Sequence, residues 1–298
     1  SSNPKRIWST DIGTGNKKRQ RLASDPIVAN GRIYTLDADG TVAAFGLNGS
    51  KQWSVDLKLQ NSPKSDGSGG GLAFADGRVA VTTGVGEVAL LDAQTGAIQW
   101  RHRAESGISV APAFDGETVV VVTGENRAFG LDAKNGRMRW KQRSNTIGAS
   151  ILGAGTPAIV SGVAIVPFGS GEVQGIVLSN GLQAWNQVIN GQRIGSARGL
   201  MKAVSGGPVV VGDTVYVGTN SGRLTALDRR SGQRIWTARE GAVGPVWPAG
   251  NSLFVLTDEQ KLKRLDRETG AELWVTDLPL YRKEKRQRGN YGHYGPVL

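Results

Sequence analysis

Six tryptophans, Trp53, Trp100, Trp140, Trp185, Trp236 and Trp274, follow one another at intervals of 47, 40, 45, 51 and 38 residues, and the residues ahead of each one repeat as well. A period of this size accommodates four short strands and their turns. The clearest copy, residues 206–236, reads GGPVVVGDTVYVGTNSGRLTALDRRSGQRIW. It opens on an apolar run, 209–211, and turns at Gly212-Asp213. A second strand follows with Val215 and Val217 on one face, as alternation requires of a half-buried strand. After a polar turn come Leu224, Ala226 and Leu227, and then Asp228 to Gly232. There an Asp side chain can accept local backbone N–H groups and a Gly can take positive φ. Four strands of this length cannot bury both faces alone, so each copy needs neighbours of its own kind. The fold class this predicts is all-β, a β-propeller of four-stranded antiparallel blades.

Aligned on the closing Trp, complete copies span 25–53, 70–100, 110–140, 155–185, 206–236 and 243–274, within a single propeller domain over residues 1–298. Four carry a Leu-Asp pair before the last turn, with Asp92, Asp132, Asp228 and Asp266 in the turn-forming position. The first and fourth copies depart from this mark at Gly46-Leu47-Asn48 and Val177-Leu178-Ser179, and a different turn is expected there. Residues 6–12, RIWSTDI, read as the outermost strand of a further blade, and YGPVL at 294–298 as the opening of another. The natural protein is therefore expected to continue for one or two more blades, with this chain incomplete at its C-terminal end. The recurring tryptophans are expected to pack between blades. Trp247, off that register in a first strand, is expected to face a central channel, with core packing as its simpler role.

The 39% hydrophobic and 20% charged content is that of a folded globular chain, and no apolar run approaches the roughly 18 residues of a membrane helix. Residues 1–20 are polar and basic and hold no signal peptide. Cysteine is absent, which excludes disulfides, thiolate metal sites and Cys nucleophiles, and His102 and His293 give no metal-ligand spacing. No metal or cofactor site is expected. The formal charge of +11 favours an anionic partner.

The string Ala226-Leu227-Asp228, Gly232, Trp236 resembles the AxDxxxGxxxW signature of quinoprotein-type (PQQ-like) propellers. The segments SGGGLAFADGRVAVTTGVGEVALLD, GAGTPAIVSGVAIVPFGSGEV, AREGAVGPVWPAGNSLFVLTD and HYGPVL resemble one branch of that class, the BamB family of outer-membrane assembly lipoproteins. The resemblance implies an eight-bladed ring for the natural protein and a non-enzymatic periplasmic scaffold of Gram-negative bacteria. Such a scaffold is tethered to the outer membrane by an N-terminal lipid anchor absent from this chain. It binds the POTRA domains of BamA within the assembly complex and assists outer-membrane protein substrates. In the family, two neighbouring interblade loops hold BamA. The first matches Ile151-Leu152-Gly153, where the family's Arg is Leu152; the second matches Ala203-Val204-Ser205, where both of its acids are gone. Contacts from Ile151 and Leu152, with Gly153, Ala203 and Ser205 beside them and charge from Arg193, Arg198 and Lys202, are the expectation carried over.

Strand alternation puts the turns between second and third strands and the interblade connections at the same end of every blade. The two most basic segments are such connections: Lys17, Lys18, Arg19 and Arg21 before the first blade, and Arg282, Lys283, Lys285, Arg286 and Arg288 after the sixth. This face is expected to meet an acidic partner surface or anionic lipid headgroups. Two rival classes remain. A quinone-dependent dehydrogenase shares the repeat but needs a Ca²⁺ site of Glu, Asn and Asp and a catalytic Asp, whereas Asp92, Asp132, Asp228 and Asp266 are all explained by one turn. A nucleic-acid-binding propeller is suggested by charge alone, since the basic runs hold few interleaved aromatics beyond Tyr281, Tyr291 and Tyr294.

Overall fold

The computed structural model describes residues 5–15, 24–58, 69–145, 154–189, 204, 206–219, 222–242, 244–283 and 286–290. Six four-stranded antiparallel sheets follow one another along the chain, each with its strands in sequence order. The first holds β1 (Ile27–Ala29), β2 (Arg32–Leu36), β3 (Thr41–Gly46) and β4 (Lys51–Asp56); the second β5 (Gly70–Ala75), β6 (Arg78–Thr83), β7 (Glu87–Asp92) and β8 (Ile98–Arg103). The third holds β9 (Ala113–Phe114), β10 (Thr118–Val122), β11 (Arg127–Asp132) and β12 (Met138–Arg143); the fourth β13 (Ala158–Val160), β14 (Val163–Pro167), β15 (Glu172–Val177) and β16 (Gln183–Val188). The fifth holds β17 (Val209–Val211), β18 (Thr214–Thr219), β19 (Arg223–Asp228) and β20 (Arg234–Ala238); the sixth β21 (Trp247–Ala249), β22 (Ser252–Leu256), β23 (Lys261–Asp266) and β24 (Glu272–Asp277). A two-stranded hairpin, β25 (Tyr281–Lys283) and β26 (Arg288–Asn290), completes the described chain, which contains no α-helix.

The chain packs as two compact units, residues 1–124 with 129–141 and residues 125–128 with 142–298. In each, the core lies between successive sheets. Tyr34, Leu36, Val42 and Ala44 of the first sheet are buried with Leu72, Val79, Val81, Ala89 and Leu91 of the second. Ala80, Val88, Leu90 and Trp100 of the second are buried with Val119, Val121, Phe129 and Leu131 of the third. In the second unit Ile165, Val173 and Trp185 pack on Val215, Val217 and Leu227, and Tyr216, Leu224 and Ala226 on Val246, Leu253, Val255 and Leu265. Burying one sheet face against the next is what a lone blade cannot do.

The turns follow from residue type. Asn30-Gly31, Asp76-Gly77 and Ser161-Gly162 hold both residues at positive φ, 48° to 75°, as two-residue type I′ hairpins demand. In the turns between the third and fourth strands of these sheets Asp92 accepts the amides of Gln94 and Thr95, Asp132 that of Lys134, Asp228 those of Arg230 and Ser231, and Asp266 those of Glu268 and Thr269. The first sheet does turn differently: Gly49 donates to Gly46 and Asn48 caps Ser50, which shortens the loop. The fourth does not. Gly181 N–H bonds the Val177 carbonyl just as Gly96 bonds Asp92, so the backbone turn forms without the carboxylate and Val177, rather than Leu178, takes the Asp position.

Each closing tryptophan that meets a following sheet within its unit docks in one way. Trp53 Nε1 donates to Ala93 O at 3.1 Å and Trp100 Nε1 to Ala133 O at 2.9 Å; in the second unit Trp185 Nε1 donates to Arg229 O at 2.9 Å and Trp236 Nε1 to Arg267 O at 3.1 Å. The ring covers the turn glycine of that sheet, so that a Cβ at Gly96, Gly136, Gly232 or Gly270 would stand 2.6–2.7 Å from ring carbons. Residues 5–15, expected to contain a strand, form none. Trp8 nevertheless docks by the same rule, donating to Leu47 O at 2.7 Å and covering Gly49. Trp140 is buried at 6% exposure, whereas Trp274 is 37% exposed and touches Phe254. Trp247 is 38% exposed on β21.

Candidate functional site

In five of the sheets, the end where the turn between the second and third strands meets the interblade connection is built by a recurring backbone bond. In the first unit Leu57 N–H donates to Gly40 O (3.0 Å) and Ala104 N–H to Gly86 O (2.8 Å). In the second, Ser144 donates to Asn126 O (3.0 Å), Ile189 to Gly171 O (2.8 Å) and Leu278 to Gln260 O (3.1 Å). The accepting residue sits at left-handed φ in every case: Gly40, Gly86 and Gly171 at 84° to 91°, but Asn126 at 57° and Gln260 at 61°. A tight turn needs that conformation, which costs an L-residue about 1–2 kcal/mol, so glycine is the usual solution. The chain leaving the fourth strand of each of these sheets is thereby held beside the turn of the same sheet.

Side chains then fasten these connections. Thr14 N–H donates to Asp37 Oδ2 (3.0 Å) and Thr14 Oγ1 to Asp39 Oδ2 (2.9 Å), while Lys58 approaches Asp39 at 3.3 Å. Glu105, after β8, pairs with Lys141 at 2.9 Å, and Val110 O accepts from Thr82 Oγ1 at 2.7 Å. Glu87, 2% exposed, faces Arg101 at 3.6 Å; burial pushes its carboxyl above the ordinary range and the nearby Arg101 and Arg103 charges only partly restore it. In the second unit Lys263 lies between Glu240 (2.8 Å) and Glu272 (2.7 Å). Burial would lower the Lys263 pKa, yet the two carboxylates outweigh it and hold the ammonium above its usual value.

The most buried of these fastenings is Glu172 at the start of β15, 0% exposed. Its Oε2 accepts from Asn145 N–H at 2.7 Å and from Ser144 Oγ; its Oε1 accepts from Gln174 Nε2 at 2.8 Å and from Asn145 Nδ2 at 3.3 Å. Ser144 and Ser170 hydroxyls meet at 2.7 Å. A buried carboxylate survives where several donors replace water. Here it fixes the two residues from which the 146–153 connection departs. Sequence reasoning passed over Glu172, Ser144 and Asn145; the one available signal was an acid opening an otherwise apolar strand.

Ile151, Leu152, Gly153, Arg193, Arg198, Lys202, Ala203 and Ser205 lie outside the described residues, as do Lys17, Lys18, Arg19, Arg21 and Lys285. Their neighbours are placed: Asn145 on Glu172, and Val204, 1% exposed, bridged to Thr219 and packed in the core of the fourth and fifth sheets. Asp92, Asp132, Asp228 and Asp266 sit at the opposite end of their sheets. Their carboxyls lie below the usual range, held there chiefly by the Thr95 hydroxyl, the Arg139 guanidinium, the Ser231 backbone N–H and the Thr269 hydroxyl respectively. They are committed to the turns. No group of three or more His, Asp or Glu poised for a metal occurs among the described residues.

The basic segment after the sixth sheet, expected to be a plain connection, is the β25–β26 hairpin. Tyr281 pairs with Asn290 and Lys283 with Arg288. Extended segments flanking a short polar turn can satisfy their own backbone groups in this way. Arg282, Lys283, Arg286 and Arg288 are all exposed. Because Leu278 is tied to Gln260, the hairpin leaves from the turn-and-connection end of the sixth sheet.

Comparison with known proteins places this architecture. A family model described as "Outer membrane protein assembly factor BamB" matches residues 38–276. The chain is 35% identical over 244 residues to the outer membrane protein assembly factor BamB of Salmonella typhimurium, covering 80% of this chain and 62% of that protein. It is 34% identical to the BamB of Escherichia coli K12 over the same shares, and 34% identical to that of Xanthomonas campestris, with 80% and 60% covered. The match therefore spans about three-fifths of the length of these relatives. In structure the chain is similar to the BamB of Moraxella catarrhalis, with a TM-score of 0.72 at 20% identity over 87% of this chain and 74% of that one. It is also similar to the computationally designed Ika8 protein, with a TM-score of 0.57 at 14% identity over 89% of both chains. These likenesses and the succession of four-stranded sheets identify the fold as a β-propeller. On the family match over most of its length, the chain belongs to the BamB family of outer membrane protein assembly factors.

Proposed function

We propose that this chain acts in outer-membrane protein assembly as a non-enzymatic periplasmic scaffold of a Gram-negative bacterium, its residues 1–298 working as one propeller domain. The observation that carries this is the family match over residues 38–276. The fastened ends of the connections support a scaffold role: Thr14, Glu105, Asn145 and Glu240 are tied to Asp37, Lys141, Glu172 and Lys263, which fixes where the chain leaves these sheets. The partner in this reading is the POTRA domains of BamA, held through the 146–153 and 190–205 connections, with the remainder of the complex and unfolded outer-membrane proteins as further clients. A lipid anchor upstream of this sequence tethers the scaffold to the membrane.

The test is binding of purified POTRA domains to the full chain by interferometry. Ile151→Glu and Leu152→Glu should each weaken it at least about tenfold, the scale of burying a charge in a small apolar contact. Unchanged affinity in both variants, with the thermal midpoint preserved, would remove these connections as the binding site.

A further inference from the structure

Among the described residues some cations pair with a carboxylate and others, such as Lys51, Arg234 and Arg239, do not. On the sheets, Lys58, Arg78, Arg101, Arg139, Lys141, Arg229 and Lys263 each have a carboxylate within 4 Å. On the β25–β26 hairpin, Lys283, Arg286 and Arg288 form no ion pair among the described residues. The fold also sets Lys283 directly across from Arg288. Like charges at facing positions of an antiparallel pair destabilise it. Arg282 projects on the other face, over Gly289, and Arg286 stands at the turn beside Gln287, whose φ is 46°. Residues 282–288 carry five cations against the single acid Glu284.

We propose that this hairpin is a binding element for an anionic phospholipid surface. Its cations fan onto both faces and the tip of a ribbon two strands wide, so no single flat side gathers them. A protein partner would need a desolvated apolar centre ringed by polar groups, and among the hairpin's described side chains Tyr281 alone is of that kind. A charged bilayer surface asks for no such centre: it attracts cations wherever they lie within a Debye length. Leu280, 49% exposed immediately before β25, adds an apolar side chain at the base of the ribbon. Anionic headgroups between Lys283 and Arg288 would also relieve the repulsion that the pairing imposes. This inference stands apart from the scaffold reading, since it concerns a different segment and a different ligand.

Sedimentation of the full chain with vesicles tests it, using phosphatidylcholine alone and phosphatidylcholine mixed with phosphatidylglycerol, at low and high salt. Binding is expected to the anionic vesicles only and to fall with salt. Each cation near the surface contributes about a fivefold effect, so the triple variant K283Q/R286Q/R288Q should bind on the order of 100-fold more weakly. A control triple at paired cations, R127Q/R139Q/R230Q, should bind as the parent does. Circular dichroism melts report whether each variant folds. Equal binding to neutral vesicles, no binding to either, or a hairpin triple no weaker than the control would overturn the proposal. So would retention of soluble polyglutamate by the parent chain without vesicle binding, which would assign the hairpin to an acidic polypeptide.

Discussion

Gly232→Ala should be far more damaging than its one added methyl suggests, and the damage should depend on Trp185. Gly232 sits at φ 70°, where an alanine pays about 1–2 kcal/mol. Its new Cβ would also lie 2.6 Å from two carbons of the Trp185 indole. That ring is only 6% exposed and is held by its bond to Arg229 O, so it cannot swing away freely, and overpacking of this kind adds about 1–3 kcal/mol. The single variant should lose roughly 2–5 kcal/mol on summing those two contributions. Trp185→Ala should lose about 3–5 kcal/mol through the cavity and the missing bond. In the double variant the clash is gone and only the backbone contribution remains, so the two losses should fall short of additivity by about 1–3 kcal/mol. Gly162→Ala is the control. Its φ of 75° is similar, but nothing lies within 4 Å of the added methyl, so it should cost only about 1–2 kcal/mol. Urea unfolding followed by far-ultraviolet circular dichroism measures all four variants. Strict additivity, or a Gly162→Ala cost equal to that of Gly232→Ala, would refute the docking role given to the tryptophan.

Other perturbations probe the remaining links. Glu172→Ala strands buried donors from Asn145 and Gln174 and should cost about 2–3 kcal/mol in the same assay, while Glu172→Gln, which keeps one acceptor, should cost clearly less. Gln260→Gly should be neutral to about 1 kcal/mol stabilising: it relieves a left-handed residue whose buried Oε1 has no partner among the described residues, against glycine's own entropic cost. Asp92, Asp132 and Asp228 hold their protons less tightly when folded than when unfolded. The stability they add is therefore complete above about pH 4 and drains away as the pH falls through their lowered folded values. Glu87, raised by burial, works in the opposite sense over the pH range between the ordinary carboxylate value and its own. A D92N/D132N/D228N variant should show a flatter urea midpoint below pH 4, and an unchanged slope would count against these turns as the acid-sensitive element.

The blades were legible in the sequence because every device that makes one is local. Asn30-Gly31 closes its hairpin through two consecutive residues, and Asp228, Ser231 and Gly232 close theirs within five. The docking of Trp8 on Gly49 could be suspected from the motif RIW, yet the absence of a strand there could not, since strand pairing depends on a neighbour the motif does not contain. The fourth sheet shows the reverse error. Its missing Asp suggested a different turn, whereas the backbone bond from Gly181 to Val177 suffices to close it.

What the sequence by itself determined, then, was the repeat: strand order, turn chemistry and the tryptophan that marks each outer strand, all written in periodicities and short spacings that each residue and its near neighbours enforce. The tertiary structure alone decided what happens at the ends of the sheets. Glu172 reaches Asn145 across 27 positions, Thr14 reaches Asp39 across 25 and Lys263 reaches Glu240 across 23. Lys283 faces Arg288 because a hairpin forms where charge alone suggested an open connection. No local spacing encodes such meetings. They arise when packed sheets bring separate connections to one place.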